Sequence, residues 1–475
     1  MKKYKGIHLY ININNLNSII KKDEKNHEDL RRTFHALDAY TWAIENFANE
    51  IFGLEIEKFT TSRYHFYIQC DETNNEKQIS SIIDLIVFSK ALAETLNTIG
   101  KYQSLKRFTI GIGMDWGQYT EYSFVDNETG YEEMTTIGSP ANRAAKLQSK
   151  CEDEKVLISK ALFEILSKEV KKVFYGKSSL SAELALKYYD LTVYETTIDN
   201  LQTLVSSTYA NREKSWLEKT KEHANSTNLD DIQFFEAKAR MNFTNLSLKN
   251  SKWMNQAIVL FSDIRGFTNR VDTSGLSDVK VLTQNALCGM NKAVQKEDGV
   301  HVQFQGDRES ALFNSFPEES KSNIVRAISA AMRMIDMVDD NNGDRETNRL
   351  DIGIGCAVGV IFATRIGMRG RKFNVVMGET VKLGDIAEDD VAGTSREGDK
   401  TEIAITKDVF SLLKKDNSKQ AKEYVGLFKK RDCDGKEYYI STTGYKEYQK
   451  KCDEESQAKN AERARNNYGI KPWGK

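Results

Sequence analysis

The sequence has no long apolar run. Its two longest candidates, Ile82 to Phe88 and Ile110 to Gly117, break off well short of the ~20 residues that a membrane-spanning helix needs. Met1 to Tyr10 is basic and then β-like, without the apolar core and small-residue cleavage site of a secretory signal, so a cytoplasmic protein is expected. Cysteine is scarce and scattered. Cys70, Cys151, Cys288, Cys356, Cys433 and Cys452 form no C-x-x-C pair and have no His at ligand spacing, which excludes a structural zinc site and points to reduced thiols. An excess of either charge is missing too: 68 basic against 69 acidic side chains leave a net charge of -1. No global field then draws in nucleic acid or an anionic membrane, and any polyanion must be met by a local site.

What is present is a repeat. The 475 residues suffice for two or three domains, and order and spacing point to one domain written twice. An apolar strand ending in small polar residues opens each copy, His8 to Ile13 and Ile258 to Ile264, which sets Asn12 opposite Asp263. After a helical stretch, Leu54 to Gln69 and Val300 to Phe313 read as hairpins turning at Thr60-Thr61-Ser62 and Gln305-Gly306-Asp307, with Ser62 opposite Asp307. Ile110-Gly111-Ile112-Gly113 and Ile352-Gly353-Ile354-Gly355 are identical tetrapeptides, each with a further Gly four residues on, at Gly117 and Gly359. The order β-α-α-β-β-α-β implies an α+β fold with helices packed on a mixed sheet, twice over. The expected domains are residues 1–198 and 251–444, joined by a helical linker over 199–250 and followed by a charged, solvated helical tail over 445–475.

Phe261-Ser262-Asp263-Ile264-Arg265-Gly266-Phe267-Thr268 places an acid at a strand end, then a glycine turn into a helix. Such a turn offers the N–H groups of Gly266, Phe267 and Thr268 to phosphates, while Asp263, with Ile264 counted beside it at the metal, holds a hard cation. Asp307 at a hairpin tip supplies a second carboxylate. Two acids on adjacent strand ends can share two Mg²⁺ or Mn²⁺ ions. Singly, a strand-end Asp and a Gly-Asp turn are ordinary surface features; together with their flanks they indicate a site.

The combination F-x-D-I-x-G-F-T followed by F-x-G-D resembles the catalytic domain of class III adenylate and guanylate cyclases, over most of both copies. That resemblance implies two tandem ferredoxin-like palm domains forming an intramolecular pseudo-heterodimer, with the active site between them. It also implies that the partner copy gives an Asn and an Arg, four residues apart on a helix. Ile137 to Leu147 matches with Asn142, and has Lys146 at the Arg position, where lysine keeps the charge but loses the bidentate fork. Arg143 is a neighbour that could compensate. In the second copy Lys382 and Ile386 fill those positions, so one competent and one dead site are expected. By the same resemblance Arg369 would face the phosphates and Lys187 their β/γ end.

Base choice in the family falls at positions that here are near Lys58 and at Thr135, and the pair fits neither the adenylate nor the guanylate pattern. A Lys58 ammonium facing the acceptors of cytosine would favour CTP over UTP. The lack of sensor or membrane domains resembles the stand-alone pyrimidine cyclases of bacterial antiphage signalling, which implies a cyclic nucleotide messenger such as cCMP, a downstream effector protein, and a monomer sufficient for one site. Competing readings are a nucleotide-sensing pseudo-cyclase without activity and another palm enzyme. A polymerase or diguanylate cyclase would show a basic groove or a G-G-D/E-E-F hairpin, where this chain has Gln305-Gly306-Asp307-Arg308-Glu309.

Overall fold

The computed structural model describes residues 3–24, 26–126, 131–177, 180, 192–266, 276–314, 322–343, 349–368, 371–392, 394–395 and 398–468. The first lobe runs β1 (Tyr4–Ile13), α1 (Leu16–Asp23), α2 (His27–Asn49), β2 (Leu54–Thr60), β3 (Arg63–Gln69), α3 (Glu76–Asn97), β4 (Ile110–Asp126), β5 (Tyr131–Ile137), α4 (Ser139–Ser149), β6 (Lys155–Ser159), β7 (Tyr175–Gly176) and β8 (Val193–Thr197). Its sheet has the order β2-β3-β1-β4-β6-β8-β7, with β5 paired to β4. Helix α5 (Tyr209–Ser226) follows, and the chain enters the second sheet through β9 (Phe234–Glu236), parallel to β10 (Ser251–Ile264). Strand structure therefore begins inside the segment expected to be a purely helical linker.

The second lobe continues with α6 (Leu276–Lys296), β11 (Val300–Gln305), β12 (Arg308–Phe313), α7 (Asn323–Asn342), β13 (Ile352–Ile366), β14 (Phe373–Met377) and α8 (Glu379–Ile386). After the short pair β15 (Thr394–Ser395) and β16 (Gly398–Asp399) come β17 (Glu402–Thr406), β18 (Lys429–Cys433), β19 (Lys436–Ser441) and the terminal helix α9 (Tyr445–Tyr468). The sheet order β11-β12-β10-β13-β17-β19-β18, with β14 on β13, repeats the first lobe strand for strand. Register repeats as well: Asn12 faces Arg63 and Gly111 on its two neighbours, and Asp263 faces Arg308 and Gly353. The chain is thus two tandem α+β domains of one topology.

Alternation in the strands puts Ile7, Leu9, Ile11 and Ile13 into the first core, and Ile258, Leu260 and Ile264 into the second. The lobes also trade apolar residues. Phe362, Ile366, Val375 and Met377, from the β13–β14 arm, belong to the first lobe's core, while Tyr122, Phe124 and Ile137, from the β4–β5 arm, belong to the second's. Phe124 meets Phe304 edge-on, with centroids 4.5 Å apart. The tail departs from a fully solvated helix. Its first turn is docked on α7, with Tyr445 and Tyr448 buried and the Arg333 guanidinium 3.8 Å above the Tyr445 ring; beyond that turn it is mostly exposed.

Candidate active site

A cleft of about 1240 Å³ runs between the lobes and is lined by Asp263, Asp307, Gly266, Asn142, Lys146 and Lys58 together. Asp263 is the penultimate residue of β10, and Asp307 sits at the β11–β12 turn, where Gly306 takes a φ of 71° that residues with a Cβ resist. Since Asp263 pairs with Arg308 in register, Asp307 stands beside it. Burial, and next the facing Asp263 carboxylate, push Asp307 well above the usual carboxylate range. Burial raises Asp263 also, against the pull of Arg265, Arg308 and Lys146. Two partly desolvated acids that oppose each other's ionisation are a donor set suited to a hard divalent cation. Among the described residues no third His, Cys, Asp or Glu completes a metal cluster with them, so phosphate and water oxygens would fill the remaining positions.

The first lobe answers from α4. A methyl built on Gly306 would lie 3.9 Å from Asn142 Oδ1, and Lys146 Nζ is 3.5 Å from Asp389 Oδ1, just beyond α8. The structure thus brings Asp263, Asp307, Asn142 and Lys146 around one cleft. Arg143 is a different matter. Its Nε donates to Asp115 Oδ2 at 2.5 Å inside the first lobe and it does not line the cleft, so it cannot substitute for the family arginine. The reason is geometric: one residue beyond Asn142 on a helix points about 100° away.

At the other end of the cleft Lys58 is spent. It donates to Phe304 O at 2.9 Å and to Glu133 Oε1 at 3.1 Å, and lies 3.4 Å from Glu57 Oε1, which occupies all three ammonium donors. It cannot also present a donor to a cytosine edge. Thr135 is buried and donates its hydroxyl to Glu57 Oε1, at 2.9 Å, and the cleft wall there is Thr136, whose hydroxyl donates to Glu57 Oε2 at 2.5 Å. Burial would raise the Glu57 carboxyl, but His65, Lys58 and Thr136 hold it below the usual range. Phe267, Thr268, Lys187 and Arg369 lie outside the described residues.

Sequence reasoning missed the frame behind the acids. Glu388 takes Arg265 Nη1 and Arg308 Nη2, each at 2.8 Å, and Arg308 Nη1 reaches Asp385 at 2.6 Å. The signal was the acidic run Glu388-Asp389-Asp390 after α8. At the corresponding positions of the first lobe stand amides and a hydroxyl: Ser62 Oγ donates to Asn12 Oδ1 at 2.8 Å, and Asn12 Nδ2 to Asn14 Oδ1 at 2.9 Å.

The family model of the adenylate and guanylate cyclase catalytic domain matches residues 250–440. A uridylate cyclase from Pseudomonas aeruginosa is 23% identical over 397 residues, covering 79% of this chain and 73% of the relative. An adenylate cyclase from Anabaena cylindrica is 26% identical over 132 residues, 26% of this chain and 25% of that protein. Among solved structures, a class III adenylyl cyclase-like ATP-binding protein from Pseudomonas aeruginosa superposes with a TM-score of 0.68 at 19% identity, covering 94% of this chain and 90% of that one. Residues 250–440 are therefore a class III adenylate and guanylate cyclase catalytic domain, set in a chain that carries the fold twice.

Proposed function

We propose that the protein converts a pyrimidine nucleoside triphosphate to its 3′,5′-cyclic monophosphate and pyrophosphate, in one site shared by the two lobes. The observation that carries this reading is the meeting of Asp263 and Asp307 from one lobe with Asn142 and Lys146 from the other across the same cleft. Asp263 and Asp307, with Ile264 beside them, would hold Mg²⁺ or Mn²⁺, which when bound would supply positive charge near the α-phosphate and the ribose 3′-oxygen. Asn142 orients the ribose, and Lys146 offsets negative charge that develops on the phosphoryl oxygens. Gly266 and the residues after it present N–H groups to the terminal phosphates. One chain holds every part, so a monomer suffices.

For the base, UTP comes ahead of CTP. The engagement of Lys58 removes the acceptor-reading argument for cytosine, and a relative aligned over most of this chain is a uridylate cyclase. The product then serves as a messenger to an effector protein, in antiphage defence by analogy with the stand-alone pyrimidine cyclases. Chromatography of products from an equimolar mixture of the four triphosphates with Mn²⁺ tests the reading. Cyclic UMP as main product is expected; cyclic CMP restores cytosine, a cyclic purine product overturns the pyrimidine assignment, and nucleotide binding without any cyclic product leaves a pseudo-cyclase.

A further inference from the structure

Two contacts of helix α4 with β4 bear on its orientation. One is a close backbone approach: a methyl built on Gly113 would lie 2.2 Å from the Gln148 nitrogen and 2.3 Å from the Ala144 carbonyl oxygen. The other is a buried ion pair. Arg143 Nε donates to Asp115 Oδ2 at 2.5 Å, and Ser159 Oγ donates to the other carboxylate oxygen. Asp115 is wholly buried on the strand, while Arg143 lies on the helix next to Asn142 and three residues before Lys146.

The second lobe is an internal control. There Gly355 makes the same close approach to α8, with the Glu388 nitrogen at 2.3 Å and the Gly384 carbonyl at 2.5 Å from a built methyl. Gly113 thus corresponds to Gly355, 242 residues on, and Ala144 and Gln148 correspond to Gly384 and Glu388, 240 residues on. Carried to the ion pair, these offsets land on Ala357 and Leu383. The pair exists only under the helix that delivers Asn142 and Lys146. Helix α8 is tied to its sheet by other polar contacts, the Thr380 hydroxyl donating to Val360 O at 3.0 Å and Asp385 pairing with Arg308. Under α4 a hydrogen-bonded buried ion pair fixes the roll about the helix axis, although its desolvation cost makes it a poor source of stability. Roll matters for α4, because a misplacement of about 1 Å at a reacting centre can cost about 100-fold in rate.

We propose that Asp115 and Arg143 are positioning residues, whose ion pair sets the roll of α4 and so aims Asn142 and Lys146 at the Asp263–Asp307 pair. The catalytic side of this inference rests on the cyclase reading above; the helix side does not. The test is the full-length double variant D115A/R143L, which copies the second lobe at these two positions and removes both charges of the pair. Expected are an unchanged melting temperature, kcat for pyrophosphate release lowered about 100-fold with KM moved less than about threefold, and amide exchange over residues 139–149 several-fold faster, with 379–386 unchanged as reference. R143K, which keeps the charge, is expected to fall between wild type and the double variant. Wild-type kcat together with unchanged exchange in the double variant overturns the proposal. A wild-type protein that cyclises no triphosphate overturns the cyclase reading instead, and the exchange rates then decide the positioning role alone. If the double variant does not fold, D115N is read by the same two measurements.

Discussion

Lys146 Nζ and Asp389 Oδ1 lie 3.5 Å apart and come from opposite lobes, so the Lys146 ammonium is aimed across the cleft. Its field reaches both Asp263 and Asp307. Lys146→Ala should lower kcat about 100-fold or more with KM little changed, the pattern for an interaction made in the transition state. Lys146→Arg should retain activity. Steady-state pyrophosphate release checks both; an Ala variant at wild-type rate would remove Lys146 from the site.

Asp307 predicts a stability effect with a definite sign. Its carboxyl is raised in the folded protein, by burial and by Asp263, so the neutral form is favoured and ionisation costs stability as pH rises above the unfolded value. Metal-free wild type should therefore be less stable at pH 8 than at pH 5 as far as this group is concerned. Asp307→Asn should abolish turnover and yet melt higher than metal-free wild type at pH 8. Mn²⁺ should raise the melting temperature of wild type only.

Glu45 gives a second pH dependence, away from the cleft. It accepts from Tyr64 OH at 2.7 Å and from the Met368 N–H of the other lobe at 3.1 Å. Burial pushes its carboxyl up to about 7. Stability should fall between about pH 4.5 and pH 7 and level off above, by roughly 3 kcal/mol at most. Urea midpoints measured across that window should lose this slope in Glu45→Gln.

Lys58 should behave as a structural hub more than a reader of the base. Lys58→Met strands Glu57 and Glu133 in a buried cluster and should destabilise the protein by about 3 to 5 kcal/mol. Adding Glu133→Gln should recover part of the loss. Denaturation of the single and double variants checks it; a Lys58→Met protein of normal stability with altered base choice would restore the reading made from the sequence.

Much of the fold was legible because backbone crowding leaves a mark in sequence. The paired I-G-I-G strands are recognisable since side chains at Gly111 and Gly353 would collide with Asn14 and Arg265, and at Gly113 and Gly355 with the helix above. Asp263 and Asp307 were legible from their turns. The environment of Lys58 was not, because Glu133 and Phe304 come from distant segments, one of them in the other lobe. The direction of Arg143 was hidden for a related reason: spacing gives its place on the helix, but only the fold supplies Asp115 beneath it. Thr61, with a φ of 52° where the other hairpin has Gly306, is held by a hydroxyl bond to Val376 O at 3.0 Å, again across the lobes.

The exchanged arms bear on how the chain is made. Residues 1–198 contain every strand of the first sheet, but their core is finished by Phe362, Ile366, Val375 and Met377. On the ribosome the first lobe must wait, with that apolar surface open, until the β13–β14 arm has emerged. Residues 251–475 expressed alone would lack Tyr122, Phe124 and Ile137 in the same way. Neither half completes its packing without the other, so the two lobes are expected to unfold as one cooperative unit.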